Sequence, residues 1–394
     1  MKFFKKAFAV MLAVLMLSSA FVLCAAAEEN TLSGDSMLKF NEDGKFKIMM
    51  FADSQDDETL EETTAQLMRE ALDAHNPDLV VFLGDNTVAN GYENQAKAIE
   101  TIVTPCVERE IPFTLVFGNH DQEQGVTNEV LLREYQKYPG CLAYDAVPSL
   151  YGCGNHNLPI LSSKGLDIAF NLWFVDSGTS TAEAGGYDYV REDQINWYKD
   201  TAAALKVLNG GEVVPAISFQ HIIVPEVYDA VGMIKVPFSI PDFYYNDNNY
   251  LPVPNFGAYE GFIFEPPCPS HINGGQMDAW LETGDVMATF YGHDHVNDFI
   301  TNYEGIDITT VPTVGCNSYG NDINRGVGLI TLDENDLTTY EYEALRMYDF
   351  ALTEGSKIPE CDGALSTFEY VFYKIIDQFL TVLHKMVSVF SFIK

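Results

Sequence analysis

Val116-Phe117-Gly118-Asn119-His120-Asp121 closes an apolar run that begins at Pro112 and then presents three polar side chains in a row. A short apolar run with β-branched and aromatic residues predicts a buried strand, and the glycine lets the chain turn sharply at its carboxyl end. In open α/β sheets, ligands bind outside the carboxyl ends of the strands. Asn119, His120 and Asp121 are therefore expected where such a fold does its chemistry, as a metal ligand, an acid and an orienter. The same grammar recurs. Phe46 to Phe51 leads into Asp53-Ser54-Gln55, and Asp78 to Leu83 leads into Gly84-Asp85-Asn86. Val214 to Phe219 leads into Gln220-His221, and Val286 to Tyr291 leads into Gly292-His293-Asp294-His295. Five runs end in Asp, Asn, Gln or His, the oxygen and nitrogen donors that hard to borderline divalent metals take. Of eight histidines, His120, His221, His293 and His295 lie at these ends, which favours a ligand set over scattered structural histidines.

In order and rough spacing these motifs resemble the calcineurin-like metallophosphoesterases, which include the purple acid phosphatases, over about residues 46 to 345. Glu282 to Phe299 is similar to the branch related to purple acid phosphatases found in bacteria and fungi. The resemblance implies a four-layer α/β/β/α sandwich, two mixed sheets flanked by helices. It implies two metal ions, with Mn, Fe or Zn suited to the mixed ligands. Asp53, Gln55, Asp85 and His295 would hold one; Asp85, Asn119, His221 and His293 would hold the other. The pair would clamp a phosphate and activate a water to hydroxide. His120 would stabilise phosphoryl oxygens or protonate the leaving alkoxide, with Asp121 fixing its tautomer. Two departures matter. Gln55 stands where the family's Asp-x-His motif has imidazole, and a neutral amide is a weaker donor. Val88 occupies the place of the purple enzymes' tyrosinate, so no purple colour is expected.

The rest of the chain frames this centre. Lys2, Lys5 and Lys6, an apolar stretch to Leu23 and Ala25-Ala26-Ala27 read as a secretory leader over residues 1–27. Leu at the lipobox position argues against lipidation at Cys24. The expected catalytic domain spans 28–354. Helices are expected over Glu58 to His75, Asn94 to Val107 and Glu192 to Leu208, and a strand over Ile168 to Val175. Phe299 to Ile308, Thr309 to Val314, Gly326 to Leu332 and Thr338 to Glu343 read as strands of the second sheet. At 47% hydrophobic and 13% aromatic, the chain can bury a substantial core. Its formal charge of −35 excludes nucleic-acid binding through the general field and leaves polyanions dependent on local metal charge. Six cysteines in the mature chain, with no C-x-x-C, make neither a disulfide scaffold nor a thiolate zinc site.

Residues 222–275 form a long insert rich in Pro and aromatics, read as a wall over the metal site that selects substrate. Glu265, His271 and Asn273 are its expected substrate contacts. Residues 355–394 read as a linker and an amphipathic helix over 368–394, whose regular polar interruptions argue against a spanning helix. That helix is expected to lie on a membrane or envelope partner or to dock on its own domain. The leading functional expectation is a secreted metal-dependent phosphatase acting on small phosphomonoesters. A phosphodiesterase or nucleotidase would use the same centre. An envelope-associated binding protein on a degenerate phosphatase fold is the alternative of another class, encouraged by Gln55 and the tail.

Overall fold

The computed structural model of the protein describes residues 37–165, 167–235, 250–251, 254–255, 257–320 and 322–358, with Ile375 and Phe379 beyond them. The expected leader, nearly all of the tail helix and the insert's residues 236–249, 252–253 and 256 lie outside the described residues. In chain order the elements are β1 (Lys45–Phe51), α1 (Glu62–His75), β2 (Leu79–Leu83), α2 (Tyr92–Val107), β3 (Phe113–Val116), α3 (Asn128–Tyr135), β4 (His156–Leu161) and β5 (Ile168–Phe174). There follow β6 (Ser180–Thr181), β7 (Gly186–Tyr187), α4 (Glu192–Leu208), β8 (Ala216–Phe219), α5 (Val227–Ala230), β9 (Ile234–Lys235), β10 (Tyr250–Leu251) and β11 (Tyr259–Ile263). The last are α6 (Gln276–Thr283), β12 (Val286–Tyr291), β13 (Asn297–Tyr303), β14 (Ile306–Thr310), β15 (Gly326–Asp333), β16 (Glu341–Arg346) and α7 (Met347–Ala351).

Two mixed sheets face each other, one ordered β16-β15-β1-β2-β3 and the other β11-β13-β14-β12-β8-β5-β4. Because strand side chains alternate between faces, β1 splits its residues between two layers. Ile48 and Met50 join Val81, Leu83, Phe170, Leu172, Phe219 and Phe290 in the core between the sheets. Met49 and Phe51 instead pack with Leu67, Leu72, Ile102 and Leu131 of the helices on the outer face. On the far side Trp173, Ala216, Tyr291 and Ile308 pack with Tyr198, Leu205 and Trp280 of α4 and α6. The expected four-layer α/β/β/α order is what these three cores describe.

One part of the strand expectation needs correcting. Only β13 and β14 of the late strands enter the second sheet; β15 and β16 join the first. Antiparallel pairing of β1 with β15 runs Lys45↔Asp333 to Met50↔Gly328. Polar–apolar alternation does not specify a partner across nearly three hundred residues, so the sequence pattern leaves the sheet assignment open. The helices fall close to expectation, with ends set by local chemistry. Glu61 caps α1 by accepting from the backbone N–H groups of Thr63 and Thr64, and Asn76 at φ 44° stops it ahead of Pro77.

Register brings the carboxyl ends of the parallel strands level. Phe51 pairs with Phe82 and Leu83 with Val116 in the first sheet, and Phe219 pairs with Phe290 in the second. The polar residues that follow all five strands therefore emerge at one end of the sandwich, where the two sheets meet. Among the described residues, no helix is long and apolar enough to cross a membrane.

Candidate metal centre

Asp53 and Gln55 follow β1, Asp85 follows β2, Asn119 follows β3, His221 follows β8, and His293 and His295 follow β12. Their side chains converge into two donor sets that share one carboxylate. Asp85, His221 and His293 bring ligand atoms within 4.8 Å of one another, and so do Asp53, Asp85 and His295. Asn119 stands with the first set, its Oδ1 3.2 Å from His221 Nε2. Gln55 stands by the second, with its Nε2 donating to Asp85 Oδ2 at 3.1 Å. For Gln55 to act as a ligand its amide must turn over so that the oxygen faces inward. All seven residues are buried.

The backbone is bent to deliver them. Asp53, Gln55, Asp85 and His293 all have positive φ, between 38° and 76°. Such conformations cost non-glycine residues roughly 1–3 kcal/mol each and collect at functional sites. Close approach does the rest: a Cβ added at Gly118 would collide with the carboxylate and backbone of Asp85, and one at Gly84 would meet His221 Nδ1 at 2.6 Å. The glycines of these motifs are there because the loops touch.

The imidazoles are oriented as ligands. His221 Nδ1–H donates to the Leu83 carbonyl at 2.8 Å and His295 Nδ1–H to the Tyr319 carbonyl at 2.8 Å. Each leaves Nε2 facing the carboxylates, the arrangement by which second partners fix a metal-binding tautomer. His293 Nε2 is buried with no hydrogen-bond partner among the described residues. A buried imidazole nitrogen left bare is costly, and a cation held by the first set would satisfy it. Burial disfavours every charge here, yet the carboxylates of Asp85 and Asp53 push His221 up to about 10. Burial and the neighbouring His221 push His293 well below its ordinary value. The carboxylate pair asks for positive charge, and its donors fit two divalent metal ions.

His120 stands at the edge, half-exposed, with its backbone N–H donating to Asp85 Oδ1 at 2.7 Å and its Nε2 4.0 Å from Asp85 Oδ2. Its expected orienter does not reach it. Asp121 is buried beneath the loop, where its carboxylate accepts from the backbone N–H groups of Gly118 at 2.7 Å, Asn86 at 2.9 Å and Thr87 at 3.2 Å. Burial and the Asp85 charge push it up to about 7. Asp121 therefore pins the β2 and β3 loops together. The partner of His120 is Glu123, whose Oε2 accepts from Nδ1 at 2.6 Å.

The expected substrate contacts separate. Glu265 lies at the rim, accepting from the Tyr319 hydroxyl at 3.2 Å, and the Tyr319 ring stacks on His295 at 4.2 Å. Asn273 donates to Glu226 at 2.6 Å and accepts from Gly275 N–H at 2.8 Å, bracing the start of α6. His271 lies beside the β6–β7 hairpin, where a side chain at Gly186 would meet its ring. That hairpin supplies a rim residue absent from the sequence expectation, Tyr187, perpendicular to His293 at 4.3 Å.

Residues 46–297, more than half of the chain, match the family model for calcineurin-like phosphoesterases. The chain belongs to that family. Among curated relatives, the phosphoesterase is 29% identical over 317 residues to "Probable inactive purple acid phosphatase 14" of Arabidopsis thaliana, covering 73% of this chain and 75% of the relative. It is 27% identical to "Probable inactive purple acid phosphatase 29" of the same plant, over 72% of this chain and 75% of that one. "Phosphatase DCR2" of Saccharomyces cerevisiae is 26% identical over 68% of this chain and 47% of its own length. The relatives place the phosphoesterase with purple acid phosphatase-like proteins, as the motif order implied.

Proposed function

We propose that this phosphoesterase hydrolyses phosphate monoesters at a dinuclear metal centre, with Asp53, Gln55, Asp85 and His295 for one ion and Asp85, Asn119, His221 and His293 for the other. The observation that carries the reading is the pair of donor sets joined at Asp85, with His293 Nε2 of the first set buried and without a hydrogen-bond partner among the described residues. Bound there, two cations such as Mn, Fe or Zn supply charge opposite the phosphoryl oxygens and lower the pKa of water. The remaining work falls to side chains. Glu123 holds the Nδ1 proton of His120, so Nε2 faces the site and can give a proton to the departing alkoxide or hold a phosphoryl oxygen. Gly118 and Gly84 keep the loops close enough to exclude bulk water from beneath the ligands.

The test is elemental analysis of the purified protein beside phosphate release from p-nitrophenyl phosphate and its bis ester with Mn, Zn or Fe added. About two metals per chain with monoester turnover supports the reading; turnover of the bis ester alone moves it to a phosphodiesterase. A second reading, a binding protein on a degenerate site, draws on two relatives' names containing "inactive" and on the amide of Gln55. No turnover of either ester with any metal would favour it. The basic, apolar leader supports an extracytoplasmic location, checked by fractionation of the expressing cell. Contact of 368–394 with a membrane or envelope partner is checked by cutting the chain at about Gly355. Cooperative melting lost on truncation would show a tail docked on its own domain.

A further inference from the structure

Three rim groups lie on the side of the site formed by β7, the end of β11 and the loop between β14 and β15. Tyr187 stands perpendicular to His293, and Tyr319 lies flat on His295 at an interplanar angle of 8°. Those histidines belong to different donor sets, so each set has one of the two rings against one of its histidines. Glu265 joins Tyr319 by accepting from its hydroxyl. Its backbone is clamped by Asn297, whose Oδ1 accepts from Glu265 N–H at 3.1 Å and whose Nδ2 donates to the Glu265 carbonyl at 3.0 Å. Tyr319 is 59% exposed, which leaves ring surface open beyond its contact with His295. Among the described residues, no Lys or Arg forms an ion pair with Glu265.

We propose that Tyr187, Tyr319 and Glu265 form a cradle for a cationic leaving group, so that the preferred substrate is a phosphomonoester of an amino alcohol. Its ammonium lies against the tyrosine rings and the Glu265 carboxylate while its phosphate lies over the metal ligands. This rests on the monoesterase reading and names its substrate class. Aromatic faces attract ammonium ions by roughly 0.5–2 kcal/mol, more as water is excluded, and a carboxylate beside them adds a charge pair. Burial pushes the Glu265 carboxyl up from its ordinary value, and an incoming cation offsets that cost of charge. A zwitterionic ester also suits a protein of formal charge −35, which repels a nucleotide or a bare dianion more strongly. In the reaction the oxygen of water bonds to phosphorus, the bond from phosphorus to the ester oxygen breaks, and the amino alcohol leaves with a proton. The products are inorganic phosphate and the free amino alcohol, and nothing is oxidised or reduced.

The test compares phosphocholine with its carbon isostere, in which a quaternary carbon replaces the nitrogen, on the full chain loaded with Mn or Zn. Phosphocholine is expected to be favoured about tenfold in kcat/KM, the scale of one cation–aromatic contact plus a charge pair. Glu265→Gln and Tyr319→Leu should each bring that ratio toward one. Equal turnover of the pair, with p-nitrophenyl phosphate still hydrolysed, would overturn the cradle and leave the monoesterase standing. If no ester is hydrolysed, calorimetry of tetramethylammonium on the metal-free protein decides. Saturable binding weakened by Glu265→Gln upholds the cradle without the activity, and absence of binding overturns it.

Discussion

His156, which opens β4, is fully buried where the edges of the two sheets meet. Its Nδ1–H donates to the Gly154 carbonyl at 2.7 Å and its Nε2 accepts from the Thr114 hydroxyl at 2.7 Å, tying β4 of one sheet to β3 of the other. The ring stacks on Phe174 at 4.5 Å. Burial pushes its pKa from 6.5 down to about 4. The unfolded chain therefore takes up a proton below about 6.5 that the folded chain refuses until about 4, and stability is lost as pH falls through that window. At about 1.4 kcal/mol per pH unit, the loss attributable to this ring approaches about 3 kcal/mol at pH 4, against a typical total of about 5–15 kcal/mol. His156→Gln keeps a donor and an acceptor but cannot titrate. Urea unfolding of both proteins in chelator, from pH 7 to pH 4, isolates the effect, because the buried carboxylates contribute equally to both. The variant should be the less stable at pH 7 and should close the gap by about 3 kcal/mol at pH 4. A gap of constant size across that range would refute a neutral, proton-refusing His156.

Asp85→Asn should remove the carboxylate common to both donor sets and release both metals, whereas His295→Ala should release one, as read by elemental analysis after dialysis. Gly118→Ala should lower metal affinity at least about tenfold, since its Cβ would collide with Asp85 and the loop cannot yield without moving a ligand; isothermal titration with Zn checks this. Glu123→Ala should cut kcat about tenfold with KM little changed, because it frees the ring of His120 rather than removing a contact to substrate. Asp121→Asn should instead lower the melting temperature by several degrees, because Asp121 ties three backbone amides and does not touch His120.

The convergence of these side chains was legible because each obeys one local rule, an apolar strand followed by a polar tip, and the parallel strands carry all the tips to one end. Residues that obey no such rule stayed hidden. Glu123 is a loop glutamate chosen by the turn after His120, while the adjacent Asp121 occupies the more obvious place. Tyr187 and Tyr319 reach the rim from a two-residue hairpin strand and an irregular loop, and neither has a period to announce it. Asn273 shows what insert polarity leaves open: its amide donates to Glu226 and accepts from Gly275 N–H, which braces α6. The placement of β15 and β16 failed for a different reason, since alternation marks a strand without marking its neighbour.

Gln55 is the sharpest conflict between the catalytic and the degenerate readings, and the backbone bears on it. A binding fold released from metal chemistry has no reason to hold Asp53, Gln55, Asp85 and His293 at positive φ, at a combined cost of several kcal/mol. Nor has it reason to bury His293 Nε2 unpartnered or to keep Gly118 clear for Asp85. Cations bound among the donors would offset those costs. If the strain is maintained for metal, removing the shared carboxylate together with its Cβ should relax it: Asp85→Gly without metal should match or exceed the melting temperature of the metal-free parent. Loading the parent with Zn should raise that temperature by several degrees and leave the variant unmoved. A variant that melts well below the metal-free parent would mean that Asp85 stabilises the empty fold through His120 N–H, Gln55 and His221, and that the strained loops are structural in their own right.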